Sequence, residues 1–327
     1  MYMKPPERHN DYNKCFWKLN KAIYGLKQSG RQEINQFLIN IGFKRLISES
    51  WLYIKQDKRK DLIYILGVYV DDILIAVKNC EIKNTKDNIK RKYKIKDISY
   101  VDFVISVKFI KNNNGYFLHQ KRYIEEILKR LKVNNEKLLS NTQPINNEEL
   151  RKIKFNKINY SRSSVGNLLY VAICTRSDIL FLVSKAARKS NDPTIEDWNN
   201  IVKIFRYLKG TLNYGINYSK ELGIEAYVDA DFAGDTQTRR STTGFLIKIG
   251  NSITSWCFKF QHWVSTSTAE SEYYSLSECW KHCMWYLNIL NELIFGINYI
   301  TINVDNKAAI YKYKAYWYKG ILYKKNY

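Results

Sequence analysis

Residues 62–77 read Leu-Ile-Tyr-Ile-Leu-Gly-Val-Tyr-Val, then Asp-Asp, then Ile-Leu-Ile-Ala-Val. No other stretch limits the fold so sharply. Two acids near the middle of the run exclude a plain membrane span. Two β-branched runs of strand length around turn-tolerant residues instead predict a hairpin with Asp71 and Asp72 at its tip. Adjacent carboxylates at the end of buried strands are costly unless something positive sits beside them. They are either a solvated turn, where Asp is common, or a site for a hard divalent cation such as magnesium. Such an ion takes oxygen ligands from one or two carboxylates plus a substrate phosphate.

Charge narrows the choice. The 327 residues hold 53 Lys plus Arg against 31 Asp plus Glu, a net charge of +22. That excess favours a polyanionic partner, nucleic acid before a membrane surface. The competing account is a coding sequence rich in A and T, which would enrich Lys, Asn, Ile and Tyr without selection for binding. A mean hydropathy of −0.42 fits a globular chain of about two domains. The start, Met1 to Pro6, has no apolar h-region, so a secretory signal is not expected. Six Cys without a CxxC and four scattered His disfavour a disulfide scaffold and a zinc finger, and imply a reducing compartment.

The polar, Asn- and Lys-rich stretch around residues 134–159 is the best candidate for a boundary. Beyond it, 164–172 and 177–187 read as short amphipathic helices. A third helix is predicted from Thr194 as N-cap, through Trp198, Ile201, Phe205 and Leu208, to Gly210. The period then changes. Residues 224–228, 244–249 and 252–257 are strand candidates, with Gly250-Asn251 as a turn. A long helix follows, in which Ala269, Tyr273, Leu276, Trp280, Cys283, Leu287, Leu290 and Ile294 alternate steps of four and three. Ser267 and Glu270 are spaced as a capping box. Residues 299–304 form a last strand candidate ending at Asp305. Strands, a helix and a strand closing on a carboxylate define a compact α/β unit.

Tyr69-Val70-Asp71-Asp72 resembles the YVDD box of reverse transcriptases. The run from Leu19 through Tyr24-Gly25-Leu26-Lys27-Gln28 to Arg31 resembles the nucleotide-pocket motif of copia-type retrotransposon Pol polyproteins. Cys174 to Ile179 and Tyr207 to Thr211 are similar to the linking region of that family. In the last third, Tyr227 to Asp235, Ser267 to Tyr273 and Val304 to Ile310 resemble the first-strand, helix-start and later strand-end motifs of its ribonuclease H domain. The resemblance implies an α/β (α+β) architecture in three parts. These are a partial reverse-transcriptase palm and start of thumb (1–133), a helical linking region (134–222) and a ribonuclease H-like mixed sheet with helices (223–327). It implies Asp71 and Asp72 as polymerase metal ligands, with Tyr24, Gly25, Lys27 and Gln28 contacting the nucleotide. It also implies magnesium, or manganese in its place, and as partners an RNA template, a DNA primer, dNTPs and an RNA–DNA hybrid. An intracellular setting follows, in cytoplasmic virus-like particles, the nucleus or both.

The chemistry explains the carboxylates of the last third. Cleaving a phosphodiester needs a nucleophilic water and a stabilised leaving oxygen, and two metals roughly 4 Å apart serve both. Asp229, Glu272 and Asp305, from two strand ends and a helix, could hold such a pair. Glu270 competes with Glu272 for the middle role. Glu272 lies about 60° from the centre of the helix stripe and Glu270 about 100°. Glu272 also matches the family's Glu-Tyr pattern, which leaves Glu270 the capping role. Asp231 and Asp235 belong to the loop after the first strand. Arg31, Arg239 and Arg240 are candidates for backbone phosphate, a solvated loop being the equal alternative for the last two. The Lys-rich run 83–96 is either a track for phosphate or, as most such runs are, a solvated face. Cys279, Cys283 and His282 lack a fourth ligand and read as packed helix residues.

Departures from the family pattern shape the expected function. The early strand Asp that such polymerases need falls before Met1, so a polymerase half unable to extend a primer is expected. Glu33 stands where an aromatic is usual, and Ser106 where a Gly is expected near the primer-gripping turn. Tyr311–Tyr327 has no His where the family has a basic, His-containing tail. The expected function is a Pol fragment whose retained chemistry is hybrid cleavage. The rival is a catalytically dead, basic nucleic-acid-binding remnant.

Overall fold

The computed structural model describes residues 2–18, 29–56, 63–70, 72–77, 82–131, 162–293, 296–297, 299–309 and 321–324. The chain divides into two compact units, Met1–Asp97 and Ile98–Tyr327. The architecture is mixed α/β, with several small sheets and helices packed on them. Among the described residues no helix is long and apolar enough to cross a membrane.

In the first unit β1 (Tyr2–Met3) pairs with β2 (Trp17–Lys18). Helix α1 (Ser29–Asn40) then leads into a four-stranded antiparallel sheet. Its strands are β3 (Lys44–Arg45), β4 (Leu52–Gln56), β5 (Ile63–Tyr69) and β6 (Asp72–Ala76), side by side in chain order. Helix α2 (Ile82–Lys92) closes the unit. Alternation along β5 puts Tyr64, Leu66 and Val68 inside, where Phe37 and Leu38 of α1 and Ile89 of α2 cover them. The expected hairpin is present, with Tyr69 opposite Asp72. Its connection is two residues long, and Val70 takes φ of +51°. A primed turn demands that conformation, but a β-branched residue adopts it only under strain.

The second unit starts with a hairpin-rich segment: β7 (Phe103–Val104), β8 (Val107–Asn112) and β9 (Gly115–His119). Between β7 and β8, Ile105 and Ser106 both have positive φ, +50° and +59°. Ser106 therefore occupies a backbone geometry that favours glycine. Helices α3 (Lys121–Arg130), α4 (Arg162–Cys174), α5 (Leu180–Arg188) and α6 (Ile195–Gly210) follow, with a 3₁₀ turn at Ser177–Ile179. They share one core through Ile124, Leu168, Val171, Val183, Ile201 and Phe205. Thr194 caps α6 in a full capping box with Asp197. The stretch around 134–159 lies outside the described residues. The segment after α6 is not helical: β10 (Ile216–Ser219) pairs antiparallel with β9. The Leu118 carbonyl would lie 2.2 Å from a side chain at Gly215, so only glycine admits that approach.

Two of the linking-region motifs meet inside this helical core. Arg176 is 2% exposed. Its guanidinium donates to Asp178 at 2.9 and 2.7 Å, to the Thr211 carbonyl at 3.0 Å and to Thr211 Oγ1 at 2.7 Å. The Tyr207 hydroxyl donates to the same Asp178 carboxylate at 2.7 Å. Burial pushes the Asp178 carboxyl up, but Arg176 and Tyr207 outweigh it and hold it below the usual range. Brought together, these groups give a buried guanidinium the acceptors it needs.

The last part is a five-stranded mixed sheet in the order β13-β12-β11-β14-β15. β11 (Ile224–Asp231), β12 (Thr242–Ile249) and β13 (Ser252–Phe260) form an antiparallel meander. β14 (Ile300–Asn303) and β15 (Ile321–Lys324) run parallel to β11. The long helix α7 (Thr268–Glu292) packs on Ile224, Ala226, Val228, Ile247 and Ile302 through Leu276, Cys279, Cys283 and Leu290. Its buried face is rotated from the purely apolar stripe. Ser271, Glu272 and Ser275 are inside, while Tyr273, Trp280 and Leu287 are only partly buried. Cys279 and Cys283 are buried free thiols, as a packing role requires.

Candidate metal centre

The mixed sheet explains where the acids end up. β11 and β14 are parallel neighbours, so their C-terminal ends lie at the same edge of the sheet. Asp229 sits near the end of β11, and Asp305 two residues beyond β14. Helix α7 crosses below with Glu272 in its second turn. One ligand oxygen from each of the three lies within 4.8 Å of the others. Asp229 and Asp305 are exposed, while Glu272 is buried with 7% of its surface accessible.

Electrostatics set this cluster apart. Burial, then the charges of Asp229 and Asp305, push the Glu272 carboxyl up to about 8. Its Oε2 is buried without a hydrogen-bond partner in the protein. A buried carboxylate facing two more carboxylates, with an unsatisfied oxygen, is the donor set a hard divalent cation fits. The donors are all oxygen, so a soft metal does not suit them. Neighbouring acids are turned away. Glu270 accepts from the Thr266 amide at 2.6 Å and hydroxyl at 2.7 Å, at the start of the helix. It thus reaches one residue further back than a capping box with Ser267 requires, although Ser267 Oγ does accept from the Glu270 amide at 3.2 Å. Asp231 lies against Gly234, where a Cβ would come within 1.9 Å of its carboxylate. Asp235 accepts from Thr238.

A buried polar network behind Glu272 escapes a reading based on apolar periodicity. Gln261 is fully buried and donates to the Ser271 carbonyl at 2.9 Å, to Ser275 Oγ at 3.3 Å and to Thr243 Oγ1 at 3.3 Å. Ser265 Oγ donates to the Gln261 side-chain oxygen at 2.8 Å, and Ser275 to Thr243 at 3.0 Å. These bonds fasten the first two turns of α7 to β12 on either side of Glu272. The signal was present as two serines four apart flanking an acid, a helix face that is polar yet internal.

The other predicted residues fall elsewhere. Asp72 opens β6 and is exposed, and Tyr69 opposite it is 58% exposed. Asp71, Tyr24, Gly25, Lys27 and Gln28 lie outside the described residues. Arg31 falls in the first turn of α1. Arg239 and Arg240 are exposed in the loop between β11 and β12, and the Arg239 amide donates to the Asp235 carbonyl at 2.8 Å.

Comparison with known proteins covers most of the chain. Residues 1–147 match the family described as reverse transcriptase (RNA-dependent DNA polymerase). The retrovirus-related Pol polyprotein from transposon TNT 1-94 of Nicotiana tabacum is 31% identical over 95% of this chain and 24% of that polyprotein. The corresponding polyprotein from transposon RE1 of Arabidopsis thaliana is 34% identical over 95% of this chain and 22% of its own length. An uncharacterized mitochondrial protein of Arabidopsis thaliana is 34% identical over 66% of this chain and 90% of its own length. Residues 1–147 belong to the reverse-transcriptase family, and the chain is a homologue of copia-type transposon Pol polyproteins. It spans about a quarter of the length of the transposon polyproteins it matches.

Proposed function

We propose that residues 223–327 cut the RNA strand of an RNA–DNA hybrid with magnesium, or manganese, held by Asp229, Glu272 and Asp305. The reading rests on one observation: three carboxylates from two strand ends and a helix converge within 4.8 Å around a buried, unpartnered oxygen. Divalent cations bound there would lower the pKa of water and stabilise the leaving oxygen of a phosphodiester. Glu272, fixed by the α7 backbone and the Gln261 network, anchors the site from below. Asp229 and Asp305 face solvent and leave room for a phosphate. The Asp229 carboxylate is oriented by the Ala230 amide, which donates to Oδ1 at 2.8 Å.

In the first unit Asp71 and Asp72 are proposed as carboxylates of the RNA-directed DNA polymerase site. Tyr24, Gly25, Lys27, Gln28 and Arg31 would be its nucleotide and backbone contacts. The three-part division at 133 and 222 goes with this reading, as does work inside the cell on template, primer and hybrid. The net charge of +22 favours a second reading, a binding protein without catalysis. A labelled hybrid decides between them. Magnesium-dependent cleavage of the RNA strand, lost in Asp229→Asn, supports the nuclease. Binding without cleavage in either metal supports the second reading.

A further inference from the structure

Helices α5 and α6, the end of β13 and the loop after β11 enclose a groove of about 750 Å³. We propose that this groove holds the sugar-phosphate backbone of the nucleic-acid strand running on from the three-acid cluster. This rests on the reading of that cluster as a hybrid-cutting site. The groove lies wholly within the second unit. It begins where the acids end, since Asp231 lines it and lies two residues beyond Asp229 on the same face of β11. That is roughly 7 Å along a strand, about one phosphate spacing.

The chemistry of the lining points to phosphate. Lys185 and Arg188 of α5 and Lys189, which caps its end, stand three and four residues apart, which puts them on one face, and all are exposed. Lys203 of α6 joins them from the facing wall. Two of the four are held by aromatic rings: the Lys185 ammonium lies 4.3 Å from the Phe181 centroid, and the Arg188 guanidinium 3.3 Å from that of Phe260. An aromatic face fixes a cation in place without cancelling its charge. The acids of the groove are held partly by local turns and partly by its cations: Asp231 and Asp235 both lie within electrostatic reach of Arg188, and Asp235 of Lys189 as well. Asp197 accepts from the Thr194 amide and hydroxyl at 2.9 and 2.7 Å. Asp235 accepts from the Thr238 amide and hydroxyl at 2.8 and 2.5 Å. Asp231 packs beside Gly234, where there is no room for a side chain. The result is four cations against three acids in the lining of a groove of about 750 Å³ beside the site, a net positive wall larger than a single small anion fills and suited to a polyanion's backbone.

The test uses the full chain and a labelled hybrid long enough to extend well past the cut. Binding is measured against salt in EDTA, separately from cleavage in magnesium. The triple variant Lys185→Gln/Lys189→Gln/Lys203→Gln should lower the slope of log affinity against log salt by about three. Arginine at the same three positions should restore it. The control triple Lys83→Gln/Lys94→Gln/Lys96→Gln removes the same charge from the first unit and should leave the slope within one of wild type. Equal losses in both triples, or a wild-type slope in the groove triple, would overturn the groove. If the hybrid is not cut in either metal while the groove triple alone loses slope, the groove stands and the nuclease reading fails. If the hybrid is cut and the groove triple binds as wild type does, the nuclease reading stands and the groove fails.

Discussion

The two acidic sites of this chain are made by opposite routes. Asp71 and Asp72 are neighbours in sequence, and Asp72 opens β6 after a short hairpin connection and is exposed. Asp229, Glu272 and Asp305 are far apart in sequence and meet only because β11 and β14 are parallel neighbours with α7 beneath them. A local pair needs little more than its turn. An assembled trio needs the whole sheet, and it forces one carboxylate into the interior, where its ionisation is opposed. The hairpin therefore shows Asp72 to solvent at little cost in stability. The trio holds an internal conflict that a bound cation would relieve.

The sharpest way to break this contrast is to remove the acids one at a time. Asn at 229 or 305, or Gln at 272, should lower magnesium-dependent hybrid cleavage by about three orders of magnitude or more, because the water and the leaving oxygen lose their support together. Asp72→Asn should leave hybrid cleavage unchanged. Initial rates on a labelled hybrid measure both. A trio variant within tenfold of wild type would take that residue out of the centre.

A second prediction uses stability instead of activity. The folded Glu272 carboxyl titrates near 8, against about 4.5 when unfolded. The folded state therefore binds the extra proton between those values. Its contribution to stability is fully present below about pH 4.5 and is lost as pH rises through about 8. In EDTA the unfolding free energy should fall by a few kcal/mol over that window, at up to about 1.4 kcal/mol per pH unit. Glu272→Gln should flatten that fall, and Asp72→Asn should not. Urea unfolding at several pH values measures it, and a wild-type slope in Glu272→Gln would show that the buried charge is not the cause.

How much of this was legible in the sequence follows the same division between local and assembled features. The β5–β6 hairpin, the Thr194 cap and the strands β11 to β14 are readable because turn chemistry and period are local signals, whereas β15 gives no such signal. Glu272 was placed on the inner side of α7 by helix geometry, and it is buried there. The rotation of the helix face was not legible. Ser271 and Ser275 look like surface residues until Gln261 and Thr243 arrive from the sheet to satisfy them. The strand at Ile216–Ser219 was hidden for the same reason, since its partner β9 lies about a hundred residues earlier.

The Gln261 network gives a third, smaller test. Gln261→Leu keeps the volume but leaves Ser275, Thr243, Ser265 and the Ser271 carbonyl short of partners in a buried site. It should cost about 2–3 kcal/mol. Asp72→Asn, on an exposed hairpin end, should stay within about 0.5 kcal/mol of wild type. Thermal or urea unfolding measures both. If Gln261→Leu is as stable as wild type, the network does not hold α7 against the sheet.

The smallest expected effect concerns the acid beside the trio. Glu270 and Glu272 are two residues apart on one helix, and only their surroundings separate them. Glu270 accepts from the Thr266 amide and hydroxyl ahead of the first turn, whereas the Glu272 oxygen is buried and without a partner. Glu270→Gln keeps an acceptor for the Thr266 amide and removes only a negative charge near the positive end of the helix dipole. That should cost about 0.3–1 kcal/mol, with hybrid cleavage within about twofold of wild type. Glu272→Gln reverses the pattern: stability at pH 8 rises because the buried charge is gone, and cleavage disappears. The pair is measured on one hybrid and in one set of unfolding curves. An inactive Glu270→Gln beside an active Glu272→Gln would move the helix ligand by two residues and place the metal on the outer face of α7.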